Sequence, residues 1–149
     1  MTIYIIMNLG FFSCLLMMKR NNIYYEQIDD LSGLSKNHPL LSISLLLILF
    51  SLAGIPPLAG FFAKFYIFKS VIEQSMYFLA IVGLLSTVVA AFYYLRIIKI
   101  MYFDEEKDSY DKDHNLWLKL SLTVSTILIL MYFIFPSELI DVVSKINII

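Results

Sequence analysis

The chain has 149 residues, of which 60% are hydrophobic and 15% are charged, whereas soluble domains carry roughly 25% charged residues. This excess of apolar side chains excludes an ordinary water-soluble domain, whose surface must be mostly wettable. The formal net charge of −1 excludes a nucleic-acid-binding protein, because binding to phosphates requires a basic excess. We therefore expect an all-α membrane protein with membrane lipids around it, and the apolar residues are enough for about four crossings.

Four apolar stretches predict four transmembrane spans, at about residues 3–18, 39–68, 76–103 and 116–135. The polar segments between them, at residues 19–38, 69–74 and 104–114, and the tail at 136–149 are each too short to form a domain. The sequence therefore predicts a single transmembrane unit over residues 1–149.

The basic residues predict the orientation of this unit. Most of them fall on the side of the first and third connecting segments, within these segments or at the adjoining ends of the spans, namely Lys19, Arg20, Lys36, Arg96, Lys99, Lys107, Lys112 and Lys119, whereas Lys69 and Lys145 fall on the other side. Because Lys and Arg favour the inner side of a membrane, we expect both termini to face the periplasm or the intermembrane space.

Neither a cofactor nor a metal site is indicated. Cys14 is the single cysteine, and no His or Cys residues have the spacing of zinc, haem or iron–sulfur ligands. The first apolar stretch lacks the layout of a signal peptide. Abundant Ile, Phe, Tyr, Asn and Lys, with few Ala and Arg, are typical of an AT-rich genome. We therefore expect the mitochondrial inner membrane, with the bacterial plasma membrane as the alternative.

The second span is unlike the others because it is roughly ten residues longer than one crossing needs and contains Gly54-Ile55-Pro56-Pro57. Both prolines lack an N–H group and clash with the preceding turn, and a residue before proline avoids helical geometry. We therefore predict a helix break at Gly54, Pro56 and Pro57. In lipid, such irregular backbone is tolerated only inside protein or beside a water-filled cavity.

Lys64 is the only charged residue of this second span. A lysine at bilayer depth costs roughly +2.5 to +3.5 kcal/mol on insertion scales, and such residues mark ion pathways. Burial disfavours the charged form of a lysine and a nearby anion restores it, so the amine could bind and release a proton. The alternative is a lysine near the outer boundary whose long stem lets the charge reach water.

The helix break favours the proton-relay hypothesis, because an interrupted helix uses more residues per crossing and draws Lys64 inward. Gly60, one turn earlier on the same face, would admit a close neighbour or water. The other three spans contain no Asp or Glu. We therefore expect another polypeptide to supply the counter-charge of Lys64.

Tyr66, His38, Ser86 and Thr87 are weaker candidates for lining a proton pathway. His38 could help protons enter, although a solvent-side residue at a helix start is the commoner case. Ser86 and Thr87 could bond to water or across helices, although packing residues bonded to their own backbone are commoner.

Four stretches carry a family resemblance, namely residues 28–34, 38–41, 51–66 and 93–104. Over about residues 1–105 the chain resembles the C-terminal part of subunit 2 of respiratory complex I, the antiporter-like membrane subunit of NADH:ubiquinone oxidoreductase. The resemblance implies the last four of fourteen helices, with Lys64 at the proton-relay lysine of the discontinuous twelfth helix. It also implies a non-redox subunit of a translocase that couples quinone reduction to proton pumping, without a cofactor in this chain.

The first ten helices of that family are absent. We expect a separate chain from a split gene to carry them, with a fragment as the alternative explanation. Other membrane-arm subunits of complex I, above all neighbouring antiporter-like subunits, are further expected partners. Two other functions stay open: a fragment of a related cation/proton antiporter or membrane-bound hydrogenase subunit, and a purely structural membrane-arm chain.

Overall fold

The computed structural model describes residues 2–20, 23–24, 27–105 and 116–134. Its elements, in chain order, are α1 (Thr2–Met17), β1 (Lys19–Arg20), β2 (Ile23–Tyr24), a 3₁₀ turn (Ile28–Leu31), α2 (Leu34–Asn37), α3 (Pro39–Ala53), α4 (Ala59–Glu73), α5 (Tyr77–Phe103) and α6 (Leu116–Ile134). Most of the acidic connecting segment, the end of the fourth span and the tail lie outside the described residues.

Among the described residues, α5 is the one helix that is long and apolar enough to cross a membrane. At 1.5 Å per residue, its 27 residues exceed the roughly 30 Å thickness of a hydrocarbon core. Large apolar side chains such as Phe78 and Phe92, 82% and 64% exposed, cover its outer surface. The other apolar helices are shorter, at Thr2–Met17, Pro39–Ala53 and Leu116–Tyr132. The number of four crossings therefore stays a prediction.

The core forms around α3, which packs against α1, α5 and α6. Leu45, Ile48 and Leu49 on this helix are fully buried. Across the adjoining α1–α6 contact, the Ser13 hydroxyl donates a hydrogen bond of 2.9 Å to Ser121 Oγ. Small residues at this contact allow the close helix packing that is typical of membrane bundles.

Two local features differ from the expected pattern of helices and loops. Lys19–Arg20 and Ile23–Tyr24 form a short antiparallel pair after α1. The second difference is that α4 continues past the predicted end of its span to Glu73, so the following turn lies at residues 74–76. A contact of 3.8 Å between Lys69 Nζ and Glu73 Oε1 supports this last helical turn.

The apolar stretch at residues 39–68 is divided into α3 and α4 on either side of residues 54–58. Gly54 ends α3 in the left-handed conformation, at φ 84°, and its N–H donates to the carbonyls of Phe50 and Ser51, each at 3.1 Å. Glycine adopts this conformation without steric cost. The Pro56–Pro57 peptide bond is cis.

The first turn of α4 packs directly onto the last turn of α3. Gly60 is buried there, and a Cβ atom at this position would collide with the backbone carbonyl of Ser51. Only glycine therefore lets the two backbones approach this closely.

We expect Gly60→Ala to destabilise the protein by about 1–3 kcal/mol, the usual cost of overpacking, because both colliding groups belong to backbone or Cβ. Gly83→Ala on α5 is the matched control: its Cβ would meet Phe68 Cε1 at 2.8 Å, the tip of a side chain that can move. Thermal unfolding of the detergent-solubilised protein measures both effects. Equal melting temperatures for the two variants would contradict this account of the junction.

Candidate functional site

The amine of Lys64 lies at the carboxyl end of α3. Its Nζ donates hydrogen bonds to the backbone carbonyls of Leu52, at 2.9 Å, and Ala53, at 3.1 Å. The last carbonyls of a helix have no partner within that helix, and they form the negative end of its dipole. The partners of the ammonium group are therefore neutral dipoles from the same chain.

The two prolines explain why these carbonyls are available. In a continuous helix each carbonyl accepts from the N–H four residues later, so Leu52 and Ala53 would pair with residues 56 and 57. Both of those residues are proline and have no N–H to donate. Lys64 supplies the two donors that Pro56 and Pro57 lack.

The other two terminal carbonyls of α3 are already paired. The N–H groups of Gly54 and Ile55 both donate to Phe50, at 3.1 Å, and Gly54 also donates to Ser51. All four carbonyls of the last turn therefore have a donor, and the Lys64 amine completes the set.

Gly54 also makes room for the lysine side chain. A Cβ atom on Gly54 would lie 3.0 Å from Lys64 Cδ and 3.3 Å from its Nζ. The residue that ends α3 thus borders the path of the lysine stem across the break.

A cavity of about 460 Å³ lies beside Lys64, between the end of α3, α4 and α5. Aromatic and aliphatic side chains form most of its wall, and its polar members are Lys64, Lys69, Glu73 and Thr87. An ammonium group has three N–H donors, of which two bind Leu52 and Ala53. The cavity leads from the amine towards the Lys69–Glu73 pair at the end of α4.

The structure brings only one of the weaker candidates to Lys64. Thr87 lines the same cavity, and its hydroxyl donates to the Leu84 carbonyl at 2.7 Å. Its neighbour Ser86 is exposed, donates to the Gly83 carbonyl at 2.7 Å and does not line the cavity.

Tyr66 and His38 lie elsewhere. Tyr66 is exposed and contacts Phe65 edge to face, with ring centroids 5.8 Å apart. His38 precedes α3 at its opposite end and, with Lys119, lines a second cavity of about 480 Å³. No group of three or more His, Cys, Asp or Glu residues within the described ranges is arranged to hold a metal ion.

The acceptors of the Lys64 amine were not predicted from the sequence. The other spans contain no acidic side chain, and the expected counter-charge was therefore assigned to another polypeptide. The signal was present in the spacing, because the prolines stand four residues after Leu52 and Ala53.

Comparisons with known proteins give a consistent result. A family model described as NADH:quinone oxidoreductase/Mrp antiporter, TM matches residues 1–90. NADH-quinone oxidoreductase subunit N of Pelagibacter ubique is 80% identical over 149 residues, covering 100% of this chain and 32% of that protein. Subunit N of Parvibaculum lavamentivorans is 47% identical over 140 residues, covering 94% and 29%. This chain thus spans about a third of the length of these relatives.

A solved structure supports the fold. A chain of respiratory complex I from Thermus thermophilus with bound aureothin superposes with a TM-score of 0.76 at 24% sequence identity, covering 90% of this chain and 30% of that one. The resemblance inferred from the sequence motifs is therefore confirmed, and the subunit N relatives favour complex I over the antiporter and hydrogenase alternatives. The chain belongs to the NADH:quinone oxidoreductase/Mrp antiporter transmembrane family.

Proposed function

We propose that this chain forms part of the membrane arm of a respiratory NADH:quinone oxidoreductase, where Lys64 is one station of a proton path. The observation that carries the proposal is the position of its amine, bonded to the free carbonyls of α3 and bordering a cavity. Ionisable residues inside membrane proteins mark proton relays when they face a water-accessible interior. The redox chemistry belongs to other subunits.

The choice of partners suits a group that must both bind and release a proton. Carbonyl dipoles stabilise the ammonium form, but they bring no full negative charge that would hold the proton as a buried carboxylate does. After release, the neutral amine keeps N–H donors for one or both carbonyls, and its lone pair accepts the next proton. The lysine can thus change charge without breaking the junction between α3 and α4.

The cavity beside Lys64 indicates with which side of the membrane this residue exchanges protons. Its polar groups run from Lys64 and Thr87 to Lys69 and Glu73, and the distribution of Lys and Arg predicts that the end of α4 lies on the outer side of the membrane. We infer that water in this cavity exchanges protons between Lys64 and that side. Both termini of the chain then face outward.

This chain spans about a third of the length of its relatives. We propose that the other helices of the subunit, on a separate chain if the gene is split, supply further titratable groups near Lys64. Neighbouring membrane-arm subunits and lipids cover the exposed apolar surface. The bacterial relatives support the plasma membrane rather than the mitochondrial inner membrane suggested by composition.

A structural role for Lys64 is the second candidate, because the same two hydrogen bonds also join α4 to α3. Arginine separates the two roles: it keeps the charge and the donors, but it does not release its proton. A structural clamp would tolerate this exchange, whereas a relay would not.

We expect Lys64→Met and Lys64→Arg each to lower proton pumping and coupled quinone reduction by about a hundredfold, the lower end of the effect of losing a positioned proton-transfer group. Pumping by the assembled complex in inverted membrane vesicles, measured with a pH-sensitive dye, checks this. Lys99→Met, at an exposed position of α5 outside the cavity, is the control and should change pumping little. Normal pumping by Lys64→Arg would support the clamp, and normal pumping by both Lys64 variants would end the relay proposal.

Thr87 and Ser86 are neighbouring hydroxyl residues of α5, of which only Thr87 lines the cavity. Thr87→Val keeps the side-chain shape but removes the hydroxyl from the cavity, so we expect pumping to fall by about threefold, as for the loss of one ordinary hydrogen bond. Ser86→Ala removes an exposed hydroxyl outside the cavity and should have no effect. Pumping that responds equally to both substitutions would contradict the assignment of this cavity to the proton path.

A further inference from the structure

Ser51 occupies the contact between the two halves of the broken helix. It is fully buried on the last turn of α3, directly before Leu52 and Ala53. Its Oγ accepts a hydrogen bond of 3.0 Å from the backbone N–H of Gly60, and its hydroxyl lies 3.0 Å from Met7 Sδ. The side chain of Ser51, on α3, thus contacts both α1 and α4.

The bond to Gly60 satisfies a group that α4 cannot satisfy itself. The first N–H groups of a helix have no acceptor within it, and a buried unpaired N–H is costly. Leu58, which precedes α4, makes no side-chain cap. The hydroxyl of Ser51, on the neighbouring helix α3, therefore supplies the acceptor that a capping side chain would otherwise supply.

The hydrogen bond between Gly60 and Ser51 also sets the position of the Lys64 side chain. Gly60 and Lys64 are one turn apart on the same face of α4, and the amine of Lys64 binds the two residues that follow Ser51. Fixing Gly60 against Ser51 thus fixes the Lys64 stem against its two acceptors. The Gly60–Ser51 bond and the two bonds of the Lys64 amine therefore all join α4 to the last turn of α3.

We propose that Ser51 is a positioning residue, which holds the start of α4 so that the amine of Lys64 meets the carbonyls of Leu52 and Ala53. The proposal rests on the proton-relay role proposed for Lys64. Ser51 itself carries no proton in this scheme, and it acts only through the geometry of the lysine.

The decisive variant is Ser51→Ala in the assembled complex. Without the hydroxyl, the start of α4 moves to satisfy the Gly60 N–H, and the ammonium group loses alignment with at least one carbonyl. The pH profile of proton pumping should then shift towards lower pH by about one unit, which corresponds to losing one hydrogen bond to a charged group. Lys69 and Glu73, the other charged groups of the cavity, are unchanged in this variant.

Ser42→Ala is the matched control. Ser42 is also a buried serine of α3, but it lies near the start of that helix, where its hydroxyl donates to the Pro39 carbonyl at 2.9 Å. The same loss of a buried hydroxyl should leave the pH profile unchanged. A shift of equal size in both variants would show a general effect of packing and overturn the proposal.

A double variant tests whether Ser51 acts through Lys64. In a Lys64→Met background, Ser51→Ala should change the residual turnover and its pH profile no further, whereas independent effects would multiply. Multiplying effects would overturn the positioning role while leaving the relay role intact. Conversely, normal pumping by both Lys64 variants would remove the relay role itself, so the two failures are distinguishable.

If Ser51→Ala does not assemble, Ser51→Cys takes its place. Sulfur is a weaker acceptor of similar volume, so we expect a smaller shift in the same direction, towards lower pH. An unchanged profile in the assembled cysteine variant would overturn the proposal.

Discussion

The pairing of the Lys64 amine with the carbonyls of Leu52 and Ala53 is the interaction on which the rest of the site depends. It exists because Pro56 and Pro57 occupy the positions whose N–H groups would otherwise close the helix. The same substitution of donors ends α3, turns the lysine towards the break and leaves space beside it for a cavity. The carbonyls at the end of α3 that the prolines leave without a donor are thus paired by a side chain of α4.

This arrangement changes how the charge of Lys64 is understood. The absence of acidic residues from the other spans first indicated a counter-charge on another polypeptide. The end of α3 offers a different solution within the chain, because two aligned carbonyls and the helix dipole stabilise an ammonium group without a formal anion. In the proposed proton relay, other polypeptides would then deliver protons rather than hold the lysine in place.

Much of this could be predicted from sequence, because apolar stretches, prolines and a lone lysine are local signals. The hydropathy pattern placed the main helices, and the motif around Gly54 and Lys64 indicated the family that the comparisons confirm. The longer α4 and the Ser51–Gly60 bond were not predicted. Both depend on how α4 packs against its neighbours, and residues nine positions apart on separate helices leave no periodic signal that would pair them.

The effect of a substitution at Pro56 or Pro57 also depends on the presence of Lys64, and the reverse holds as well. Any other residue at position 56 or 57 would restore an N–H able to compete with Lys64 for its carbonyl. Conversely, loss of the lysine would leave the carbonyls of Leu52 and Ala53 without a donor in apolar surroundings. A backbone N–H at position 56 or 57 would then be stabilising. The effects of replacing Pro56, Pro57 and Lys64 are therefore coupled, because all three decide which donor the carbonyls of Leu52 and Ala53 receive.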